Sequence, residues 1–458
     1  MALSVTVPVS TEVIEANPDC PIRGAYEQGV LMITIDTRYQ DHHQRLGLDT
    51  TTRLHWGPEH EFDAQELSGL AWPIRYRVRT RDGYYENDQG QRVHFTTRAT
   101  GIDSRRGVSQ VLMRAAVLLV VIAGVGYRRA AWLLQHLFQV ETSKSAVQRW
   151  IQEIAAQLPS ADEIIRQLDA KQPITEAHFD ELFPRGTDQC VLVLKDEHGR
   201  IVATQDVDKR DEASVTPFLQ RLQALGLHLQ TFYIDGWPAY INAIRAVFGQ
   251  TVQIQYDYFH ILQNIWRHLW KWAVAHRRQL KANSTKVRTP WYKKHLEVLA
   301  TSLWEHRYLL FKAEAHMSDE EKEHLAEIVQ ADHKIGRLRA FLGGVWCIFE
   351  DSQDEVQARE ALAALKQLSI DRQKPERFEK VIRFLEENFA WMTTFLDHEG
   401  VQRHSLAESG MRVLRRLEVE HDGFRSDTGR DNVLRIYQAV KYLGWTVHHP
   451  PPELIDTA

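Results

Sequence analysis

The sequence contains little cysteine and no long apolar run. Its 458 residues include 3 cysteines, Cys20, Cys190 and Cys347, which lie far apart. This excludes a disulfide framework and a cysteine-based zinc finger, and such sparse usage is typical of the cytoplasm. The longest apolar run, residues 115–126, is much shorter than the roughly 20 residues that a membrane helix needs. We therefore predict a buried helix there and no membrane partner.

A large net charge is also missing. The 56 Lys and Arg residues face 61 Asp and Glu residues, a net charge of −5, which argues weakly against a nucleic-acid partner. However, the stretch 258–296 has nine basic residues, four tryptophans and no carboxylate, and the stretch 104–140 has five arginines and no carboxylate. Salt screens charges beyond about 8–10 Å, so a local basic surface can still bind phosphates.

The N-terminal residues predict short strands, and a helical segment follows them. Residues 73–100 alternate at period two around turn-type residues, which predicts a hairpin. One strand face would then carry four arginines, which is unfavourable unless phosphates or several acids lie opposite. The four residues are Arg75, Arg77, Arg79 and Arg81.

Two amphipathic segments within residues 126–157 have helix-turn-helix spacing, and Thr142 or Ser143 could serve as the N-cap of the second. A recognition helix places its outward polar residues in the major groove. Here those residues would be Lys144, Gln148 and Arg149. A helical hairpin inside a core gives a similar pattern, so DNA binding by this segment is one of two interpretations.

The clearest order of elements lies within residues 174–257. Three hairpin-linked strands are followed by a helix, a strand, a helix, a strand and a long basic helix from Tyr258. A mixed α/β sheet with helices on both faces satisfies this order. Residues 275–395 are strongly helical and predict an all-α insertion, and residues 404–446 again predict helices.

Two acidic residues occupy similar places in this predicted sheet. Asp180 is near the end of the first strand, and Asp235 ends the fourth, which should be its neighbour. Adjacent carboxylates repel each other unless they share a proton or a cation, and Mg²⁺ prefers such oxygen ligands. A third acid could be Glu408, in the helix after the insertion.

Other polar residues are alternative or supporting members of this site. Asp257 ends the fifth strand, and Glu181 adjoins Asp180 but should point to the opposite face of the sheet. His260 and Asn264 share a face of the next helix. These two could approach the site or simply bond locally.

Three segments resemble the catalytic blocks of bacterial insertion-sequence transposases of the DDE type. They are HFDELF, YIDGWPAYINAIRAVFGQTVQIQYDYFHILQN and SLAESGMRVLRRLEVEHDGFRSDTGRDNVLRIY. The resemblance implies an RNase H-like, five-stranded mixed sheet that is interrupted by the all-α insertion before the catalytic Glu. Asp180, Asp235 and Glu408 match the acidic triad. The sequence departs from related enzymes at Met411, where an Asn is frequent, and in lacking an N-terminal zinc ribbon.

The resemblance implies a nucleoid-associated enzyme that binds element-end repeats, cleaves phosphodiester bonds and joins the 3′ ends to target DNA. Two Mg²⁺ (or Mn²⁺) ions would be bound by the triad, and two protomers would join the two ends. Residues expected to contact double-stranded DNA are Arg128, Arg129, Lys144, Gln148, Arg149, Arg267, Lys271, Arg277, Arg278, Arg412, Arg415, Arg416 and Arg425. Two other functions remain open: a catalytically silent, transposase-derived DNA-binding regulator, and a metal-dependent nuclease on the same core.

We predict six segments along the chain. They are a β-rich module (1–103), a helix-turn-helix domain (104–170), the first part of the catalytic core (171–274), the all-α insertion (275–395), the second part of the core (396–446) and a loose tail (447–458).

Overall fold

A computed structural model of the chain describes residues 12–67, 73–183, 190–368, 376–406, 414–415 and 427–446. The chain divides into two compact units. The first comprises Met1–Lys171, Pro184–Thr187 and Arg412–Ala458, and the second comprises Gln172–Phe183 and Asp188–Met411. The fold belongs to the mixed α/β class, as the sequence predicts.

The described residues form two sheets and a larger number of helices. The strands are β1 (Ile22–Glu27), β2 (Val30–Asp36), β3 (His55–Gln65), β4 (Ile74–Glu86), β5 (Arg92–Thr96), β6 (Ile102–Asp103), β7 (Val108–Ser109), β8 (Glu176–Leu182), β9 (Cys190–Lys195), β10 (Ile201–Val207), β11 (Thr231–Ile234) and β12 (Gln253–Tyr256). The helices are α1 (Glu12–Glu15), α2 (His42–Leu46), α3 (Gln110–Val121), α4 (Tyr127–Phe138), α5 (Lys144–Gln157), α6 (Ala161–Lys171), α7 (Glu212–Ala224), α8 (Pro238–Phe248), α9 (Tyr258–Lys286), α10 (Pro290–Glu305), α11 (Asp319–Ala331), α12 (His333–Trp346), α13 (Glu355–Gln367), α14 (Glu376–Met392), α15 (Thr394–Asp397) and α16 (Asp427–Tyr442).

The sheet of the first unit has the order β1-β2-β4-β3-β7-β6, and β5 pairs with β4. The antiparallel pairing of β4 with β5 is the hairpin that the sequence predicts. Alternate residues of the central strands are buried, among them Ile35, Tyr76 and Val78. These side chains form an apolar core on one face of the sheet, as period-two alternation requires.

The other face of this sheet carries what we call the arginine ladder. Its members are Arg75, Arg77, Arg79 and Arg81 on β4 and Glu59, Glu61 and Asp63 on β3. Arg79 Nε donates to Glu61 Oε2 at 2.8 Å, and Arg77 Nε donates to Asp63 Oδ1 at 3.2 Å. Acids on the adjacent strand therefore lie opposite the arginines, which is one of the two arrangements that the sequence left open.

The helices of the first unit bury the apolar run seen in the sequence. Leu112, Ala116 and Val120 of α3 are completely buried, and α3 packs against both α4 and α5. Ser143 is the N-cap of α5, because its side chain accepts a hydrogen bond from Ala146 N at 3.2 Å. Within the part of the chain that the structure describes, no helix has the length and apolarity to span a membrane.

The last helix belongs to the first unit although it is far away in sequence. Helix α16 packs against α5 and α6. Arg435 Nη2 donates to the carbonyl oxygen of Pro159 at 2.8 Å, and Lys171 Nζ donates to that of Tyr442 at 3.1 Å. Both ends of the described chain are thus part of the same unit.

The sheet of the second unit has the order β10-β9-β8-β11-β12. The three strands β8, β9 and β10 are antiparallel, whereas β11 is parallel to both β8 and β12. This confirms that the first and fourth strands of the segment are neighbours. Phe179 of β8 contacts Phe218 of α7 and Tyr240 of α8, so these helices cover one face of the sheet.

The predicted insertion is helical throughout its described part. Residues 275–368 and 376–395 contain the end of α9 and the helices α10 to α15, and no strand lies in these two ranges. Helices α10 and α14 pack against α9. Buried His276 of α9 contacts the carboxylate of Asp332 at the start of α12, which adds a polar contact to this helical core.

Candidate active site

The parallel pairing of β8 and β11 brings the two strand-end acids towards each other. Tyr233 of β11 is in register with His178 of β8. The same offset in sequence separates Asp180 from Asp235, so continuing the register by two residues aligns these acids. Neighbouring strands are about 4.8 Å apart. The number of residues that separates the two acids in the sequence therefore equals the offset between paired residues of β8 and β11.

A tight turn fixes Asp235 at the end of its strand. Gly236 has φ 85°, and a Cβ atom there would be 2.7 Å from a ring carbon of Tyr256. Only glycine meets both constraints without strain. Trp237 N donates to Asp235 Oδ1 at 3.2 Å, so the turn also orients the carboxylate.

A single arginine connects two carboxylates at this end of the sheet. Arg210 lies between β10 and α7, and its Nε donates to Glu181 Oε1 at 2.5 Å. Its Nη2 donates to Asp235 Oδ2. The guanidinium also lies over the ring of Trp237, 4.9 Å from the ring centre. A positive charge is thus held where the acids converge.

The charges of these acids affect one another. Burial raises the pKa of Glu181 well above its ordinary value, and the negative charges of Asp235 and Asp180 raise it further, while Arg210 opposes this rise. The glutamate side chain is only 4% exposed. Three carboxylates therefore share this region with one guanidinium, an arrangement that attracts further positive charge.

The face of β8 that carries His178, and by alternation Asp180, contacts the chain that leads towards Glu408. Leu406 N donates to His178 Nδ1 at 3.0 Å, and Lys195 Nζ donates to the carbonyl oxygen of Leu406. Burial lowers the pKa of Lys195 to about 8, although the negative charges of Asp196 and Asp180 act in the opposite direction.

Asp257 holds the same segment from the fifth strand. Its Oδ1 accepts from Ser405 N at 3.1 Å and from Phe259 N at 3.3 Å, which caps α9. His260 Nδ1 lies 3.4 Å from Asp257 Oδ2, and Asn264 is half-buried one turn further along α9. Asp257 therefore binds backbone amides beside the site, which is a supporting position.

Glu408, the expected third acid, lies outside the described residues, as do Met411, Arg412, Arg416 and Arg425. Among the residues that the structure does describe, no group of three or more His, Cys, Asp or Glu side chains is arranged to hold a metal ion. The described part of the site consists of Asp180, Asp235 and Glu181, with Arg210 as the counter-ion of Asp235 and Glu181.

The order of these elements agrees with a known family. A family model described as transposase, DDE_Tnp_ISL3, matches residues 179–426, which is more than half of the chain and includes Asp180, Asp235 and Glu408. The chain belongs to this DDE transposase family. The resemblance to insertion-sequence transposases is thereby confirmed.

Two further comparisons complete this result. A solved structure, the Drosophila P element transposase strand transfer complex, is 11% identical, with a TM-score of 0.33, and the match covers 79% of this chain and 95% of that chain. This similarity is too small to bear on the fold. No curated protein matches the sequence.

The candidate DNA-contacting residues of this transposase are mostly at the surface of its first unit. Arg128 and Arg129 at the start of α4 are exposed, as are Gln148 and Arg149 of α5. Lys144, in the first turn of α5, is half-buried, in contrast to the outward position expected from the sequence. Four of these five side chains are thus freely accessible.

In the second unit, Arg267, Lys271 and Arg278 of α9 are exposed and follow one face of the helix. Arg277 differs, because its Nε donates to Ala300 O at 3.0 Å and its guanidinium lies over the ring of Trp304. It joins α9 to α10 and is less accessible to DNA.

Helix α14 adds basic residues that the sequence analysis did not include. Burial lowers the pKa of His268 on α9, and the positive charges of Lys380 and Lys271 lower it further, followed by those of Arg267 and Arg377. Lys380 and Arg377 are therefore close to the basic face of α9. Lys380 and Arg377 come close to α9 because α14 packs against it. The spacing of residues in the sequence does not reveal such packing between distant helices.

Arg210 and Lys195 were also missed as members of the site. Lys195 ends the buried strand Cys190–Lys195. A charged residue at the end of an apolar run is a sequence pattern that could have indicated its place in the site. Arg210 lies in a mixed-charge loop (DVDKRDE) with no distinguishing pattern. Only the need for a counter-ion between two adjacent acids could have suggested it.

Proposed function

We propose that this transposase cleaves phosphodiester bonds at the ends of its element and joins the 3′ ends to target DNA. The observation that carries this proposal is the alignment of Asp180 and Asp235 on neighbouring strands, within the stretch that the transposase family model matches. The strand order, with three antiparallel strands followed by two parallel ones, supports an RNase H-like core.

The residues at this point fit a divalent cation. Asp180 and Asp235 offer hard oxygen ligands, and the guanidinium of Arg210 already occupies the space between Asp235 and Glu181 as a cation. Two Mg²⁺ or Mn²⁺ ions, held by Asp180, Asp235 and Glu408, would supply an activated nucleophile and stabilise the leaving oxygen.

The assignment of Glu408 is supported by the chain just before it. Ser405 is bound by Asp257, and Leu406 by His178 and Lys195. His178 is two residues before Asp180 and, by strand alternation, is on the same face of β8. Leu406 is two residues before Glu408 and is therefore held beside that face.

The exposed basic residues would bind DNA through its phosphates. We assign the element end to Arg128, Arg129, Gln148 and Arg149, with Lys144 at the edge of that surface, in a helix-turn-helix arrangement of α4 and α5. Flanking or target DNA would contact a basic face of the second unit. Its residues are Arg267, Lys271 and Arg278 of α9, with Arg377 and Lys380 of α14.

The remaining arginines after Glu408 are candidates for phosphates near the reacting bond. Of these, Arg415 is exposed in the described chain, while Arg412, Arg416 and Arg425 stay predictions from the sequence. A homodimer follows from the reaction, because two element ends must be joined together.

The test is cleavage of a duplex that carries the terminal repeat, in the presence of Mg²⁺. We expect Asp235→Ala to abolish nicking while repeat binding is retained. The matched control is Asp211→Ser, which removes an exposed carboxylate next to Arg210 and preserves an N-cap for α7. If Asp235→Ala nicks DNA like the wild type, the site assignment is wrong.

The same assay separates the two other functions. Sequence-specific binding without cleavage in either Mg²⁺ or Mn²⁺ would indicate a silent DNA-binding regulator. Preferential cleavage of RNA–DNA hybrids or four-way junctions would indicate a nuclease.

A further inference from the structure

The position of Arg210 is fixed from several directions. Its guanidinium lies over the rings of Trp237 and Tyr240, 4.9 and 5.6 Å from their centres. Its carbonyl oxygen accepts a hydrogen bond from Trp237 Nε1 at 3.0 Å. The side chain is three-quarters buried. Such anchoring of both main chain and side chain is much more than a surface ion pair requires.

The same contacts occupy both oxygens of the Asp235 carboxylate. Oδ2 accepts from Arg210 and Oδ1 from Trp237 N. A divalent cation needs one of these oxygens without a competing positive charge beside it. The guanidinium of Arg210 and a divalent cation therefore compete for the Asp235 carboxylate, and each excludes the other or weakens its binding there.

We infer that Arg210 is a resident counter-ion which holds Glu181 and Asp235 together without metal and must leave Asp235 before a divalent cation binds there. This rests on the proposed function, which places the cation at Asp235. Arg210 thereby acts as a positioning residue that sets the affinity of the site for metal. Its contacts with Trp237 and Tyr240 do not involve the acids, so they can keep the displaced guanidinium beside the site.

The experiment measures Mn²⁺ binding to the full-length chain without DNA, by titration calorimetry and by the paramagnetic resonance signal of free Mn²⁺. We expect Arg210→Gln to bind Mn²⁺ about ten- to a hundredfold more tightly than the wild type, because a charge-assisted contact no longer competes. The matched control is Arg200→Gln, which removes the partner of buried Asp196 in the turn between β9 and β10 and should leave the affinity unchanged.

A second variant covers the case in which Arg210→Gln does not fold. Arg210→Lys keeps the positive charge but loses the bidentate reach, so we expect a smaller gain in Mn²⁺ affinity. Thermal unfolding provides an independent readout: without metal both variants should melt below the wild type, and saturating Mn²⁺ should raise their melting temperatures more than that of the wild type.

The outcomes distinguish this inference from the proposed function. Equal or weaker Mn²⁺ binding by both Arg210 variants, with binding still abolished by Asp235→Asn, would overturn the inference and leave the metal site in place. Mn²⁺ binding that survives Asp235→Asn would instead overturn the proposed metal site, and the inference with it.

Discussion

Two arrangements of arginine and carboxylate occur in this protein, one in each unit. In the arginine ladder, Arg77 and Arg79 pair with acids across two strands, and the side chains of Arg79 and Glu61 are nearly half exposed. At the candidate site, Arg210 bridges Asp235 and Glu181, which is almost completely buried. The chemical groups are the same in both regions, but those of the ladder are exposed to water and those of the candidate site are largely buried.

This difference determines what each arrangement can do. Water and salt screen the ladder, so each pair contributes about 0–1 kcal/mol and a lost partner is readily replaced by solvent. Solvent cannot replace a lost partner of a buried carboxylate in this way. Removing one partner of a buried pair therefore lowers the free energy of unfolding by about 3–5 kcal/mol. Adjacent acids without enough positive charge are correspondingly able to bind a cation, whereas the ladder is already neutralised.

The largest effect that would test this contrast is catalytic. We expect Asp180→Asn to reduce Mg²⁺-dependent nicking of a terminal-repeat duplex by about a thousandfold or more, because under the proposed function it removes a carboxylate that would hold the metal ions. Asp63→Asn in the ladder should nick DNA like the wild type. Equal loss of nicking in the two variants, with both folded by circular dichroism, would remove the distinction between the two regions.

The next effect concerns stability without metal. Arg210→Ala should lower the free energy of unfolding by about 2–4 kcal/mol, somewhat less than for a fully buried pair because the arginine is partly exposed. Arg79→Ala should lower it by less than about 1 kcal/mol. Urea unfolding in the presence of a chelator measures both, and a larger loss for Arg79→Ala would contradict the comparison.

An intermediate case is the buried pair of His276 and Asp332 in the helical insertion. Burial is the largest single effect and raises the pKa of Asp332. The hydrogen bond from His276 and the charge of that residue, together with the backbone hydrogen bond from Lys334 and the charge of His333, outweigh burial, so the pKa is lowered. Asp332→Asn removes the charge and retains a residue suited to cap α12. We expect it to lower the free energy of unfolding by about 1–3 kcal/mol at pH 7.

The pH dependence of that loss has a definite sign. Because the folded-state pKa of Asp332 is lowered, its contribution is complete above the unfolded value of 3.8 and disappears as the pH falls through the folded value. Urea unfolding of the wild type and the variant from pH 6 to pH 2.5 should show their difference shrinking only in the acidic part. A difference that grows on acidification would exclude this role of the carboxylate.

The smallest effect is the response of the ladder to salt. Arg77→Ala should lower the melting temperature by a degree or two at about 0.02 M salt and by less at 0.5 M, since screening weakens exposed pairs. The matched measurement on Arg210→Ala should depend much less on salt. If salt changes the melting-temperature loss equally for both variants, the arginine ladder and the Arg210 site do not differ in screening as their exposure indicates.

Much of the second sheet could be predicted from the sequence because it depends on local patterns. The apolar run of β9, the hairpin between β9 and β10 and the Asp-Gly turn after β11 all appear directly in the chain. The pairing of β8 with β11 followed from the order of the elements. The family match confirms that these blocks belong to a transposase.

Other features depended on contacts that no local pattern contains. The bounds of strand β3 were not predicted, because most of its residues are polar and exposed and little apolar pattern marks the strand. The bridging role of Arg210 depends on where its loop folds back over two strands. The contact of Arg277 with Ala300 likewise comes from the packing of α9 against α10.

The return of α16 to the first unit also bears on how the chain is made. The helix supplies buried side chains, among them Val433 and Ile436, that pack on α5 and α6. On the ribosome these helices emerge some 260 residues before their partner, so the first unit cannot close while the second is being synthesised. Completion of the packing around α5, which carries candidate DNA-contacting residues, therefore waits until α16 has been synthesised, and a chain that ends before α16 would lack it.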